Sequence, residues 1–379
     1  MLWLGQVWEK RGDLQEADDW LHRGLAQLRS AGVVPLELDA QIYSELGWLS
    51  SRRGDLTAAQ EWLERGIALV DGTEHYDVLS SILNRLGFVY YSRGEWDQAV
   101  TYVESALELR QRLSDIVGYA RSLGNLGLLK WTGGDWDGAL ADYERAAEMH
   151  ERIGEVEGMV LVCTNLGALY TDRGEWTKAK ENLGRSFAIA QRIAHPYQLA
   201  VAHTNLGGLY LQQERWSDCA RHLNAAIPLY KEAGVDADLN LSDACWLQGR
   251  LHLEQDQIDV AQQWAERCHN LLRKVTDADE SESVEWGQYE RLIGRIAQAR
   301  GDLAAARLHL ERSAAIFRAS GSPIEVGRTA YLSSLLSLEL GQMEKAREEL
   351  LAARQTFEQL GAAADLRRVE EQLVRLKEM

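Results

Sequence analysis

The chain has 379 residues, 46% of them hydrophobic and 26% charged, with 41 basic against 58 acidic side chains and a formal net charge of −17. That balance excludes a broad phosphate-binding footprint and adsorption to anionic lipid, both of which need basic stripes, so no direct nucleic-acid or membrane partner is expected. No apolar run approaches the ~18 residues of a membrane span; residues 1–10 lack the features of a signal peptide, and four cysteines without a CxxC predict a reducing, cytoplasmic setting.

Along the chain one frame recurs nine times. Gly12 with Ala17 and Gly54 with Ala59 open the series. Four copies then align without gaps, 40 residues apart, at Gly94-Glu95-Trp96, Gly134-Asp135-Trp136, Gly174-Glu175-Trp176 and Glu214-Arg215-Trp216. Each is followed by a small residue (Ala99, Ala139, Ala179, Cys219) and preceded by a Leu-Gly pair, from Leu86-Gly87 to Leu206-Gly207. Asp256 with Ala261, Gly301 with Ala306 and Gly341 with Ala346 complete the set.

Each unit predicts two helices. Leu123, Leu126 and Leu129 have helical spacing before the turn, and Trp136, Ala139, Leu140, Tyr143 and Ala146 have it after. The turn glycine supplies a left-handed cap, and the acid beside it suits the positive end of the next helix. The units fall at about residues 1–34, 40–75, 80–115, 120–155, 160–195, 200–235, 242–275, 287–321 and 327–361, with a capping helix over 362–379. Together they predict one repeat domain spanning residues 1–379. Pro228 is expected to kink or shorten its helix, and the acidic stretch 276–283 to form a mobile loop; residues 228–285 then read as ordinary drift of the repeat, with a hinge or a defect in the array as the alternative. Met1 enters part-way through a first helix, which leaves Trp3 and Trp8 exposed and suggests a domain cut from a longer polypeptide.

The order Leu-Gly, Gly-Asp or Gly-Glu turn, Ala, large apolar, Ala resembles the tetratricopeptide repeat (TPR). The 40-residue period and the phrase Thr164-Asn165-Leu166-Gly167-Ala168-Leu169-Tyr170 resemble its longer-helix subclass, as in kinesin light chains, polarity adaptors and the helical-repeat arms of bacterial signalling and transcription regulators. The resemblance implies an all-α, right-handed superhelical solenoid whose helix pairs bury their faces against neighbours. It also implies that first-helix positions 2, 5, 6, 9, 12 and 13 line a concave groove.

No phosphate loop, HExxH or GxSxG is present, so no catalytic residue, metal ligand or cofactor is assigned and an enzyme is not expected. Cys219 and Cys268 occupy small-residue slots and read as packing. Trp96, Trp136, Trp176 and Trp216 share a slot with Leu14, Leu56 and Ile258 elsewhere, which marks a core position. Position six of the first helix is Asn125, Asn165 and Asn205 in successive repeats, after Arg85. A row of donor-acceptor side chains suits the alternating amides of an extended peptide, although Asn also bonds to neighbouring helices. The flanking groove candidates are Asn84, Tyr91, Arg121, Trp131, Thr164 and Thr204. These residues suit a non-enzymatic scaffold that binds a peptide or protein segment, and the acidic exterior suits one with basic stretches. They also suit a small-molecule sensor arm of a transcription regulator or switch ATPase. A long polar groove favours the first and a compact pocket the second.

Overall fold

In a computed structural model, the described residues are 1–10, 14–32, 35–234, 239–276 and 283–378. They form nineteen α-helices and no strand. In chain order these are α1 (Leu2–Lys10), α2 (Leu14–Ala31), α3 (Leu36–Arg52), α4 (Leu56–Val70), α5 (Tyr76–Ser92), α6 (Trp96–Arg112), α7 (Ile116–Gly133), α8 (Trp136–Ile153), α9 (Val156–Arg173) and α10 (Trp176–Arg192). They continue as α11 (Pro196–Gln212), α12 (Trp216–Glu232), α13 (Leu239–Glu254), α14 (Ile258–Thr276), α15 (Val284–Ala299), α16 (Leu303–Ala319), α17 (Pro323–Glu339), α18 (Met343–Leu360) and α19 (Ala363–Glu378). This is an all-α solenoid with two helices per repeat and a C-terminal helix, in two compact units of residues 1–129 and 130–379. The first turn at Gly12, and all but the ends of the 276–283 insertion, lie outside the described residues.

The repeat frame explains the packing. In the first unit Ala59 and Ala99 have no exposed surface, and in the second neither do Ala139, Ala179, Ala306 and Ala346. The glycine of the Leu-Gly pair is an approach site: a Cβ on Gly47 would lie 2.6 Å from Leu63 Cγ, and one on Gly207 2.6 Å from Leu223 Cδ2. Hydrophobic contact between the helices of a repeat therefore depends on absent methyls as much as on present ones. In the first unit Leu21, Leu25, Ile42, Leu46 and Leu49 form a continuous core, against which Leu2 and Trp8 pack. Trp8 is thus partly covered, whereas Trp3 is 71% exposed.

The turns differ in how they are capped. Asp55, Asp135 and Asp302 each accept a backbone N–H three residues on, at 2.9–3.0 Å, but Glu95 and Glu175, one methylene longer, make no such bond. Gly174 holds φ 76°, and where glycine is replaced, Glu214 and Asp256 still take φ 58° and 59°. The turn is dictated by the packed helices on either side, and these two residues carry the strain. Helix α12 runs through Pro228 to Glu232 with the same 17 residues as α10, so the proline does not shorten it. Pro228 stands near the end, where the helix has few turns left to disturb.

Within the second unit, contacts link elements far apart in sequence. Arg328 on α17 reaches Asp172 on α9, and Arg368 on α19 reaches Gln212 on α11, both across 156 residues. A Cβ on Gly174 would lie 3.1 Å from Ala364 Cβ, so α19 presses directly on the α9–α10 turn. The last helices close back over earlier ones.

Candidate functional site

The predicted groove residues of the first unit are already partnered. Arg85 donates to Ser44 Oγ at 2.9 Å and to Glu45 Oε1 at 2.9 Å, and Gln6 donates to the same Glu45 oxygen at 2.9 Å. Asn84 Oδ1 accepts from Asn125 Nδ2 and from Ser122 Oγ, both at 3.2 Å. Tyr91 packs edge-on to Trp96 with ring centroids 5.2 Å apart, and Arg121 is exposed. The structure therefore brings Asn84 and Asn125 together as a bridge between adjacent repeats.

In the second unit, Asn205 spends an N–H on Val201 O of its own helix at 3.0 Å, while Asn165 has no side-chain hydrogen bond among the described residues. Asn125 and Asn205 thus make the bonds to a neighbouring helix and to their own backbone that are the other use of Asn at this position. Thr164 and Thr204 require a correction. Both are buried; their hydroxyls donate to Val160 O and Ala200 O and meet Ser186 and Tyr230, inside the helix pair. A short β-branched hydroxyl in a helix bonds back to its own turn, and here it cannot reach a groove. Trp131 donates its indole N–H to Asp172 Oδ2 at 3.2 Å.

Asp172 leads to a site the sequence reading missed. A cavity of about 270 Å³ lies among α11, α12, α13, α15, α17, α18 and α19, with five arginines in its wall: Arg250, Arg291, Arg295, Arg328 and Arg368. Four have acidic partners. Arg291 pairs with Glu325; Arg328 holds Glu325 at 3.0 Å, Asp172 at 2.9 Å and Asp365 at 3.0 Å; Arg295 holds Glu254 at 2.7 Å; Arg368 lies 3.5 Å from Asp365. Burial works to raise the Glu325 carboxyl, but Arg291 and Arg328 outweigh it and hold it down at about 2. Arg250 differs: its guanidinium lies 5.1 Å over the Trp246 ring and has no ion-pair or hydrogen-bond partner among the described residues. Burial, then Arg295 and Arg291, push it down to about 9, still charged at neutral pH. Trp216, Trp246, Leu332, Leu335 and Phe357 supply apolar wall.

The frame held a signal for this site. Arg328 stands at position 2, Arg291 at 5, and Arg250 and Arg295 at 9 of the first helices of the last three repeats, all positions assigned to the groove. Trp216, read as core, is only half-buried and faces the cavity. The cysteines are packing residues as expected: all four are buried, and burial pushes the Cys219 thiol up to about 12 and Cys245 to about 11. Among the described residues, no cluster of three or more His, Cys, Asp or Glu side chains is placed to hold a metal, and no helix is long and apolar enough to cross a membrane.

Family models described as tetratricopeptide repeat match residues 78–152 and 159–232 in one case and 1–23 and 40–65 in another. The chain is a TPR protein. No curated protein matches it in sequence. Among solved structures, this TPR chain resembles a Rap protein complexed with competence and sporulation factor (12% identity, 99% of this chain and 94% of that one, TM-score 0.63). It also resembles NprR in complex with its cognate peptide NprX (14%, 79% and 84%, TM-score 0.59). A third likeness is to aspartyl phosphate phosphatase F from Bacillus subtilis (14%, 93% and 91%, TM-score 0.58). At these identities the likeness is one of fold.

Proposed function

We propose that this TPR protein is a non-enzymatic sensor arm that takes a short peptide or similarly small ligand into the cavity of residues 130–379, and transmits its presence to a protein partner. The observation that carries the reading is the arginine-lined cavity, partly open to solvent. Return contacts from α17 and α19 to α9 and α11 confine it to about 270 Å³, near the lower end of the ~300–1,000 Å³ usual for small-ligand sites. The compact pocket favours a sensor over an open scaffold. The fold shared with Rap and NprR supports the peptide version, since structures of both carry a signalling factor or peptide in their descriptions. The 40-residue spacing supports placement in the longer-helix TPR subclass.

The test is to isolate the protein from its native host under non-denaturing conditions, release small molecules with acid, and identify them by mass spectrometry. A peptide or metabolite that is released, and that raises the melting temperature when returned, supports the reading. A phosphatase or hydrolase turnover that survives purification overturns the non-enzymatic part.

A further inference from the structure

The guanidiniums of the cavity are paired unequally. Five arginines line it with the carboxylates Glu214, Glu254 and Asp365, while Asp172 and Glu325 reach Arg328 and Arg291 as their partners. Arg291, Arg328, Arg295 and Arg368 are each fixed by a carboxylate, and Arg250 makes no such direct pair among the described residues. Stacking on Trp246 covers one face of that guanidinium and satisfies none of its five N–H donors. Glu254, one turn on, is its acidic neighbour, but no carboxylate among the described residues bonds it directly, so a half-buried guanidinium is left with its N–H donors available to a ligand.

We propose that the cavity is a receptor for the oxyanion of a small ligand, a carboxylate or phosphoryl group joined to an apolar portion, and that Arg250 is the residue that binds it. This rests on the sensor reading above and names the chemistry of its ligand. Arg250 supplies a planar fork for two oxygens, the geometry in which guanidinium binds carboxylate or phosphate most strongly. The neighbouring arginines are held in place by their own partners, so they add field without collapsing into the space. Trp216, Leu332, Leu335 and Phe357 give the apolar portion a wall to leave water against. The preference is opposite to the −17 field of the chain, so an anionic ligand must be selected inside the cavity and not steered from a distance.

The test titrates three probes into the full chain by calorimetry: N-acetyl-phenylalanyl-leucine as free acid, the same dipeptide as its amide, and inorganic phosphate. Each is repeated with Arg250→Met, which removes the charge and keeps much of the stem that packs on Trp246. The result expected is at least tenfold tighter binding of the acid than of the amide, or saturable phosphate binding, with either effect lost in the variant. Selective acid binding identifies a carboxylate ligand and selective phosphate binding a phosphoryl one. Acid and amide bound equally by wild type and variant would overturn the receptor while leaving the sensor reading intact. Discrimination that survives in Arg250→Met would overturn the role of Arg250, and no binding of any probe to the wild type would overturn the receptor. The sensor reading is decided separately by what the native protein releases.

Discussion

Arg328 Nη2 donates to Asp172 Oδ1 at 2.9 Å across 156 residues, and the same guanidinium holds Glu325 and Asp365 at 3.0 Å each. One cation thus fastens α17 to its own first turn, to α19 and to α9. Three carboxylates share it; without it Glu325 keeps Arg291 and Asp365 keeps Arg368, but Asp172 is left with only the Trp131 indole N–H and no ion-pair partner among the described residues. Arg328→Met is expected to destabilise the protein by about 3–5 kcal/mol, the cost usual for breaking a buried ionic cluster from one side. Urea denaturation monitored by circular dichroism checks this. Asp172→Asn keeps a hydrogen-bond acceptor and should cost clearly less.

The same cluster sets an acid limit. The Glu325 carboxyl is held at about 2, below the ordinary 4.5, so its contribution is fully present above pH 4.5 and is lost as pH falls toward 2. The linked loss is on the order of 3 kcal/mol. Melting curves between pH 6 and pH 2.5 should fall most steeply below 4.5, and Glu325→Gln should flatten that limb. An unchanged limb in the variant would mean that other carboxylates govern the acid transition.

The small-residue frame predicts overpacking. Ala139 has no exposed surface, so Ala139→Leu is expected to cost ~1–3 kcal/mol by forcing neighbouring helices apart. Asp135→Ala, three residues before the Gly138 N–H that it caps at 3.0 Å, should cost about 1 kcal/mol. Chemical denaturation distinguishes the two by size.

One substitution should stabilise. Glu214 holds φ 58° at a turn where other repeats place glycine. Glu214→Gly relieves a left-handed conformation worth roughly 1–2 kcal/mol and returns part of that as unfolded-state entropy, for a net gain of about 0.5–1 kcal/mol. A drop in the melting temperature would show that the glutamate side chain contributes more than its backbone costs.

The solenoid was legible because its signal is periodic: Ala99, Ala139 and Ala179 announce the same packed slot at a fixed interval, and the structure buries each completely. Position along a helix was legible too. Which of two neighbouring elements a polar side chain would choose was not. Thr164 sits at the same register position as Asn84, yet its shorter side chain turns to Val160 O and Ser186 while Asn84 reaches the next repeat. The arginine cavity escaped notice for a different reason. Its residues come from α13, α15, α17 and α19, and their meeting with α9 and α11 is a matter of superhelical return that no forty-residue window contains.

That return has a further consequence for how the protein can change. An ordinary solenoid can gain or lose a unit, because each unit touches only the next. Here α9 must find α17, and α11 must find α19, so the number of repeats between them is counted by the contacts. Deleting the α13–α14 pair would bring the wrong helix opposite Asp172 and Gln212, and would carry Arg250 away with it. The segment behaves less like a string of interchangeable modules than like a ring of fixed gauge, open to new side chains but closed to new members.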